Sequence, residues 1–153
     1  MKALIQRVTQ AEVEVSGDII ASVGLGMLVL VGFERGDDHA TALRMVDRVM
    51  HYRLFSDPEG HLNLDVEAVS GGVLWVPQFT LVADTRHGNR ADLNQGLPRD
   101  PSAKLFEQLL AEARSRYPGA TAGAGRFGAK MRIHLVNDGP VTFLLTTEGS
   151  EIS

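Results

Sequence analysis

Asn137-Asp138-Gly139-Pro140-Val141-Thr142 lies between two runs that read as strands. Upstream, residues 130–136 place Met131, Ile133 and Leu135 on one face and Arg132 and His134 on the other. Downstream, residues 141–147 are again strand-like. Asn, Asp, Gly and Pro are turn formers, so a hairpin-like reversal is predicted between the two runs. The proline is what such a turn does not need. Asn-Gly or Asp-Gly closes a tight turn unaided, whereas Pro140 fixes one φ and removes one N–H. Gly-Pro is also a bond at which the cis form costs only about 0.5–1 kcal/mol. A rigid turn that exposes carbonyls with no competing donor is suited to touching a ligand.

The rest of the chain supplies the sheet around this stretch. Residues 1–8 read as a strand carrying Ala3, Leu4, Ile5 and Val8, and residues 12–15 alternate Glu and Val. Gly17-Asp18 turns into a strand over 19–23, and Gly24-Leu25-Gly26 turns again into the continuous apolar run 27–33. An antiparallel meander is predicted, its last strand buried on both faces. Asp37-Asp38 offers an N-cap for a helix with Leu43, Val46, Val49 and Met50 on one face, ending near Tyr52. Short strands at 53–56 and 62–64 flank the turn Asp57-Pro58-Glu59-Gly60. Gly71-Gly72 leads into an apolar strand over 73–79. Asp100 is placed as the cap of a second helix, with Pro101 at its first position and Leu105, Phe106, Leu109, Leu110 and Ala113 as its apolar stripe. Residues 120–128 read as a small-residue loop, and the tail from Glu148 as polar and frayed. The sum is roughly eight to ten strands and two helices. That is an α+β fold in a single domain over 1–153: a mostly antiparallel, curved, barrel-like sheet with the helices on one side.

With 153 residues, the chain is long enough for one sizeable core. It contains no apolar run of membrane-spanning length and no signal-peptide core, which points to the cytoplasm. There is no cysteine, which excludes disulfides and thiolate metal sites. The five histidines show no metal-ligand spacing, and neither a metal nor a cofactor is expected. Charge is unevenly spread. Residues 1–76 hold six Lys/Arg against eleven Asp/Glu, and residues 77–134 hold nine against five. The second segment is therefore where a phosphate-facing surface belongs, although an uneven but solvated surface gives the same count.

No nucleophile elbow, phosphate loop or paired acid and base is present. What remains is the polar cluster Pro77-Gln78-Phe79-Thr80-Leu81 at the end of an apolar strand, followed by a long irregular segment, 83–98. Gln78 donates and accepts, Thr80 offers a hydroxyl, and backbone N–H groups at such an end can stabilise an oxyanion. The bland alternative is a strand fraying into a loop with Phe79 in the core.

Gln78-Phe79-Thr80-Leu81 and Asn137-Asp138-Gly139-Pro140-Val141-Thr142 together resemble the two signature motifs of the D-aminoacyl-tRNA deacylases. Ala3-Leu4-Ile5-Gln6-Arg7-Val8, Tyr52-Arg53-Leu54-Phe55-Ser56-Asp57, Asn63-Leu64, Ala83-Asp84-Thr85, Gly88, Arg90 and Gly125-Arg126-Phe127 fit in the same order. The resemblance implies a metal-free homodimer that hydrolyses the ester of D-aminoacyl-tRNA and clears glycyl-tRNA(Ala). It implies a cis Gly139-Pro140 that enters the other subunit's pocket and excludes L side chains, with Asn137 in the same substrate-facing motif and Arg7 orienting the turn. It places Gln78, Phe79 and Thr80 at the ester. The absence of an acid–base pair then suits a mechanism in which the tRNA 2′-hydroxyl positions or activates water while N–H groups hold the oxyanion. Arg86, Arg90, Arg126 and Lys130 are the expected tRNA phosphate contacts, with neither DNA nor membrane as partner.

Two positions depart from the family pattern. Pro77 stands where serine is usual, and Asn89-Arg90-Ala91-Asp92-Leu93 stands where Arg-Pro-Ser-Phe is usual. Pro77 is shared with a related deacylase of relaxed specificity, which is one alternative reading. A non-catalytic RNA-binding module is another.

Overall fold

A computed structural model describes residues 1–148 and 151–152. The chain begins with β1 (Lys2–Val15), β2 (Asp18–Val23) and β3 (Gly26–Gly32). The two strands expected at 1–8 and 12–15 are one strand, β1. Its first half pairs antiparallel with β3, from Lys2↔Gly32 to Val8↔Gly26, and its second half with β2, from Ala11↔Val23 to Val15↔Asp18. The expected meander is thereby corrected: β2 and β3 each pair with β1. The turn between β1 and β2 is Ser16-Gly17, one residue earlier than expected, with both residues at positive φ as the mirror-image hairpin turn requires.

Helix α1 (His39–His51) starts where the sequence places it. The Asp38 side chain accepts from the Thr41 N–H at 2.9 Å, which satisfies one of the orphan donors of the first turn. Beyond it, β4 (Phe55–Ser56) and β5 (Leu62–Leu64) form the expected small antiparallel pair.

Strand β6 (Gly72–Pro77) pairs parallel with β3, from Gly26↔Gly72 to Val31↔Pro77. It stops two residues short of the expected end at Phe79. Pro77 lies past the last partner that β7 provides, so its missing N–H breaks no pairing there. A 3-10 turn, Phe79–Val82, follows.

Helix α2 (Arg99–Arg116) buries Leu105, Phe106, Leu109, Leu110 and Ala113 as its pattern predicts. Its cap is Pro98, so Asp100 lies in the first turn and is not the cap. Residues 120–128 contain a strand that the sequence reading missed, β7 (Thr121–Ala124), parallel to β6. Its Thr-Ala-Gly-Ala composition has little β propensity, yet small residues are what the place demands. A methyl on Gly123 would stand 3.0 Å from the Ala21 Cβ on β2.

The last long strand, β8 (Arg132–Glu148), pairs antiparallel with β1 along nearly all its length. The two-residue β9 (Glu151–Ile152) pairs back onto Thr147 and Glu148, so part of the tail expected to fray is paired; residues 149, 150 and 153 of that tail lie outside the described residues.

The described strands form one seven-stranded mixed sheet and the β4–β5 pair, and most strand pairings are antiparallel. Both helices contribute to one core, with Ala3, Ile5, Val29, Val31, Val73 and Trp75 beneath them. The opposite face forms a second core around Val8, Val13, Leu28, Leu74 and Val76, whose buried residues all come from strands. Asp47 ties the helices together, accepting from Arg116 at 2.5 Å and from the Tyr117 hydroxyl at 2.8 Å. Burial first and that carboxylate second push the Tyr117 phenol up to about 12. No helix among the described residues is long and apolar enough to cross a membrane.

The starts of β3 and β6 approach closely within the sheet. A Cβ added to Gly26 would lie 1.9 Å from the Gly72 carbonyl oxygen. Gly26→Ala is therefore expected to force the parallel pair apart and cost about 1–3 kcal/mol or more. Urea unfolding followed by circular dichroism should show the lower midpoint.

Candidate functional site

The hairpin expected at 137–142 is absent. Thr142 pairs with Gln6, and Asn137 pairs with Val8. The runs on either side of the stretch therefore travel in the same direction along β1 and do not pair with each other. Residues 138–141 leave the ladder as a four-residue excursion opposite Arg7. Turn-forming residues here produce a loop-out within one strand, because β1 is long enough to partner both flanks. Gly139-Pro140 is cis, and both residues are exposed.

Side chains on both flanks brace the excursion. Asn137 Nδ2 donates to Thr142 Oγ1 at 2.8 Å, and Asn137 Oδ1 accepts from the Val141 N–H at 3.2 Å. The Asn137 side chain thus closes the neck of the loop, with both its donor and its acceptor engaged. Arg7, on an interior strand of the sheet, points Nε at the Asp138 carbonyl (3.1 Å) and carboxylate (3.5 Å). Its other terminus donates to Leu54 O and Ser56 Oγ, each at 3.4 Å. Gly139 sits at φ +130, and an added Cβ would come within 2.7 Å of Val141 Cγ2 and 3.1 Å of the Arg7 guanidinium. Glycine is required there on both counts.

The second predicted cluster lies elsewhere. Gln78 donates its N–H to Val31 O at 2.7 Å and then leads into the 3-10 turn. The first donor within that turn is Leu81 N–H, to Gln78 O at 3.2 Å, so the Phe79 and Thr80 N–H groups precede it. Phe79 is 66% exposed, which removes the reading of Phe79 as a core residue. Gln78 Nε2 donates to Thr80 Oγ1, and among the described residues no base is bonded to that hydroxyl.

A cavity of about 500 Å³ opens beside the cluster, lined by Gln78, Phe79, Arg99, Phe127, Met131 and Ile133 among others. Its wall is largely apolar with a few polar groups, as in small-molecule sites. Gly139 and Pro140 do not line it. Pro77 aligns through Val31 with Ala3, whereas the excursion stands opposite Arg7. Three strand spacings and four residues of offset amount to roughly 20 Å along the sheet. Gln78, Phe79 and Thr80 therefore form one group, Arg7, Asn137, Gly139 and Pro140 another, and the chain does not bring the two together.

The four expected phosphate contacts also divide. Arg126 and Lys130 bracket the cavity-lining residues Phe127, Gly128 and Ala129 and are exposed. Arg86 and Arg90 lie in the loop tip closed by the Asp84↔Asp92 bridge, away from the lining. Arg86 is already paired with Asp84 at 2.6 Å, and its hydrogen bonds hold that carboxyl at about 2. Arg99 was missed by the sequence reading: a lone arginine after a proline carries no motif. Asp57, Glu59 and His61 bring ligand atoms within 4.8 Å of one another, but Asp57 Oδ1 there caps its own turn, accepting from the Glu59 and His61 N–H groups.

A family profile described as D-Tyr-tRNA(Tyr) deacylase matches residues 4–146. The D-aminoacyl-tRNA deacylase of Azotobacter vinelandii is 52% identical over 145 residues, covering 95% of this chain and 99% of its own. That of Nitrosococcus oceani is 50% identical, covering 95% and 92%. A solved structure described as c-Myc DNA Unwinding Element Binding Protein superposes with a TM-score of 0.90 at 33% identity, covering 97% of this chain and 99% of that one. One described as a probable eukaryotic D-amino acid tRNA deacylase reaches 0.77 at 19% identity and shares the fold. Agreement over nearly the whole length makes this chain a hydrolase acting on carboxylic ester bonds. It belongs to the D-Tyr-tRNA(Tyr) deacylase family.

Arg7→Lys keeps the charge but replaces a planar fork by a point donor. It is expected to leave the unfolding midpoint within about 2 °C while lowering deacylation kcat/KM by about ten- to a hundredfold, since small misplacements of a positioning group are that costly. Steady-state hydrolysis beside thermal melts checks both halves.

Proposed function

We propose that this chain, as one domain over 1–153, hydrolyses D-aminoacyl-tRNA to free tRNA and D-amino acid in the cytoplasm. By the same proposal it spares L-aminoacyl-tRNA and clears glycyl-tRNA(Ala). The observation that carries the reading is the braced, exposed Gly139-Pro140 excursion, set well away from the chain's own cavity. A homodimer gives that arrangement a purpose: each copy presents its Gly139-Pro140 to the cavity of the other.

An apolar row, exposed at its β8 end and buried at Val76, supports such an assembly. Leu144, Leu4, Leu30 and Val76 are lateral neighbours on β8, β1, β3 and β6, and Leu144 is 52% exposed. The row lies on the sheet face that the helices leave uncovered, by the alternation of side chains along a strand.

In the mechanism, the ester carbonyl lies at the Gln78–Thr80 turn, where the Phe79 and Thr80 N–H groups hold the developing oxyanion. The Gly139 and Pro140 carbonyls of the second copy receive the α-amino group. The space beside them admits the hydrogen at Cα of a D residue or of glycine and excludes an L side chain. Among the described residues no base is bonded to Thr80 to activate it. The nucleophile is accordingly water positioned or activated by the substrate's 2′-hydroxyl, with no metal or cofactor required.

Purified protein in EDTA should release D-Tyr from D-Tyr-tRNA and leave L-Tyr-tRNA intact; equal cleavage of the two hands refutes chiral exclusion. Thr80→Ala is expected to retain activity within about tenfold, whereas loss of an activated nucleophile costs several orders of magnitude; single-turnover hydrolysis reads the difference. Pro77 in the cavity wall favours a second reading, a relaxed deacylase that also cleaves mischarged L-aminoacyl-tRNAs, and those esters in the same assay decide it. tRNA binding without turnover would leave the non-catalytic RNA-binding module.

A further inference from the structure

We propose that Arg99 is the anion-binding residue of the cavity and takes the phosphodiester on the 5′ side of the substrate's terminal nucleoside. The inference rests on the deacylase reading for the identity of the ligand, but its physical basis is separate. Among the described residues lining the cavity, Arg99 is the one charged side chain, and no carboxylate lines it. Phe79, Phe127, Val76, Met131 and Ile133 make most of the remaining surface apolar.

Arg99 also differs from the arginines that already hold a protein oxygen closely. Arg7, Arg35, Arg86 and Arg116 each bond to a protein oxygen at 3.1 Å or less. Arg99 has no hydrogen-bond or ion-pair partner among the described residues, and Asp100 beside it in the helix does not pair with it. Its side chain is exposed, with the guanidinium next to the cavity-lining Gly128. It lies against Gly128, where an added Cβ would come within 2.7 Å of a terminal nitrogen, and Gly128 at φ +78 suits glycine for its backbone as well. A guanidinium lying beside backbone on one side, with its donors uncommitted, can receive an oxyanion through two parallel bonds.

The substrate's chemistry says which anion. In an aminoacyl ester the amino acid's carboxyl group is esterified and its amino group is cationic. The negative charge at that end of the molecule therefore resides on the phosphodiester. Phe79 and Phe127 offer faces on which a base can stack beside it. Arg126 and Lys130, exposed on either side of Phe127–Ala129, extend positive charge along the path a preceding nucleotide would follow.

The test compares adenosine 5′-monophosphate, adenosine and inorganic phosphate as ligands by calorimetry or NMR titration, on the wild type, Arg99→Gln and Arg99→Lys. The wild type is expected to bind the monophosphate about tenfold or more tightly than adenosine. Arg99→Gln should erase that preference without changing adenosine binding, and Arg99→Lys should restore part of it. Persistence of the preference in Arg99→Gln overturns the assignment. Inorganic phosphate binding as tightly as the monophosphate overturns it as a nucleotide subsite.

In deacylation of D-Tyr-tRNA, Arg99→Gln should raise KM by about tenfold and change kcat less than about twofold; a kcat loss at unchanged KM contradicts a binding role. The unfolding midpoint of Arg99→Gln should match the wild type, because the guanidinium holds no other group. If the wild type hydrolyses no D-aminoacyl ester, the deacylase reading fails while the monophosphate comparison still reads the subsite.

Discussion

The continuous pairing of β1 with β8 is the constraint on which the site depends. Two strands that pair before and after an unmatched stretch fix both ends of whatever leaves the ladder between them. Asn137 and Thr142 then tie those ends to each other, and Arg7 ties the excursion to Leu54 and Ser56 in the segment after α1. A terminal hairpin of the same composition would be anchored at one end of the sheet only. Carried within a strand that pairs with an interior partner, Gly139 and Pro140 inherit the rigidity of the whole sheet. The proposed exclusion of L side chains would depend on that rigidity, because a yielding surface accommodates both hands.

The cavity has a different origin. Strand β6 runs past its last partner on β7 to Pro77, Gln78 still donates to Val31 O, and the chain then leaves in a 3-10 turn with Phe79 exposed to solvent. Residues 127–133 and the start of α2 supply the remaining walls. Donors, apolar surface and one guanidinium thus meet beside the end of β6, and among the described residues the Thr80 hydroxyl is bonded to an amide alone. Orientation and fixed dipoles are what such a place offers to chemistry, in contrast to proton transfer by a matched acid and base.

Much of the architecture was legible because local physics decided it. Asp38 caps a helix through its own side chain, and the stripes on α1 and α2 bury as their spacing requires. The run over 27–33 is buried on both faces because its neighbours on both sides are strands and its faces meet the two cores. The strand β7 was not legible: its small residues answer to the nearness of β2 and β6, which no local propensity encodes. Arg99 was invisible for a similar reason, since it stands out only as the one charged residue among the described residues lining a cavity built from distant segments.

The stretch 137–142 shows the division most sharply. Its residues determined by themselves that regular pairing stops there, that φ at Gly139 can take a value open to glycine, and that Pro140 withholds a donor. They determined equally that Gln78–Leu81 would be a polar exit from an apolar strand. Whether the chain reverses at Asn137 or continues was decided by tertiary structure alone. Reversal and loop-out use the same turn chemistry, and the choice rests on a partner strand more than a hundred residues earlier that is long enough to pair with both flanks. The distance between the two motifs was likewise set by the strand order between them, which places them roughly 20 Å apart within one chain.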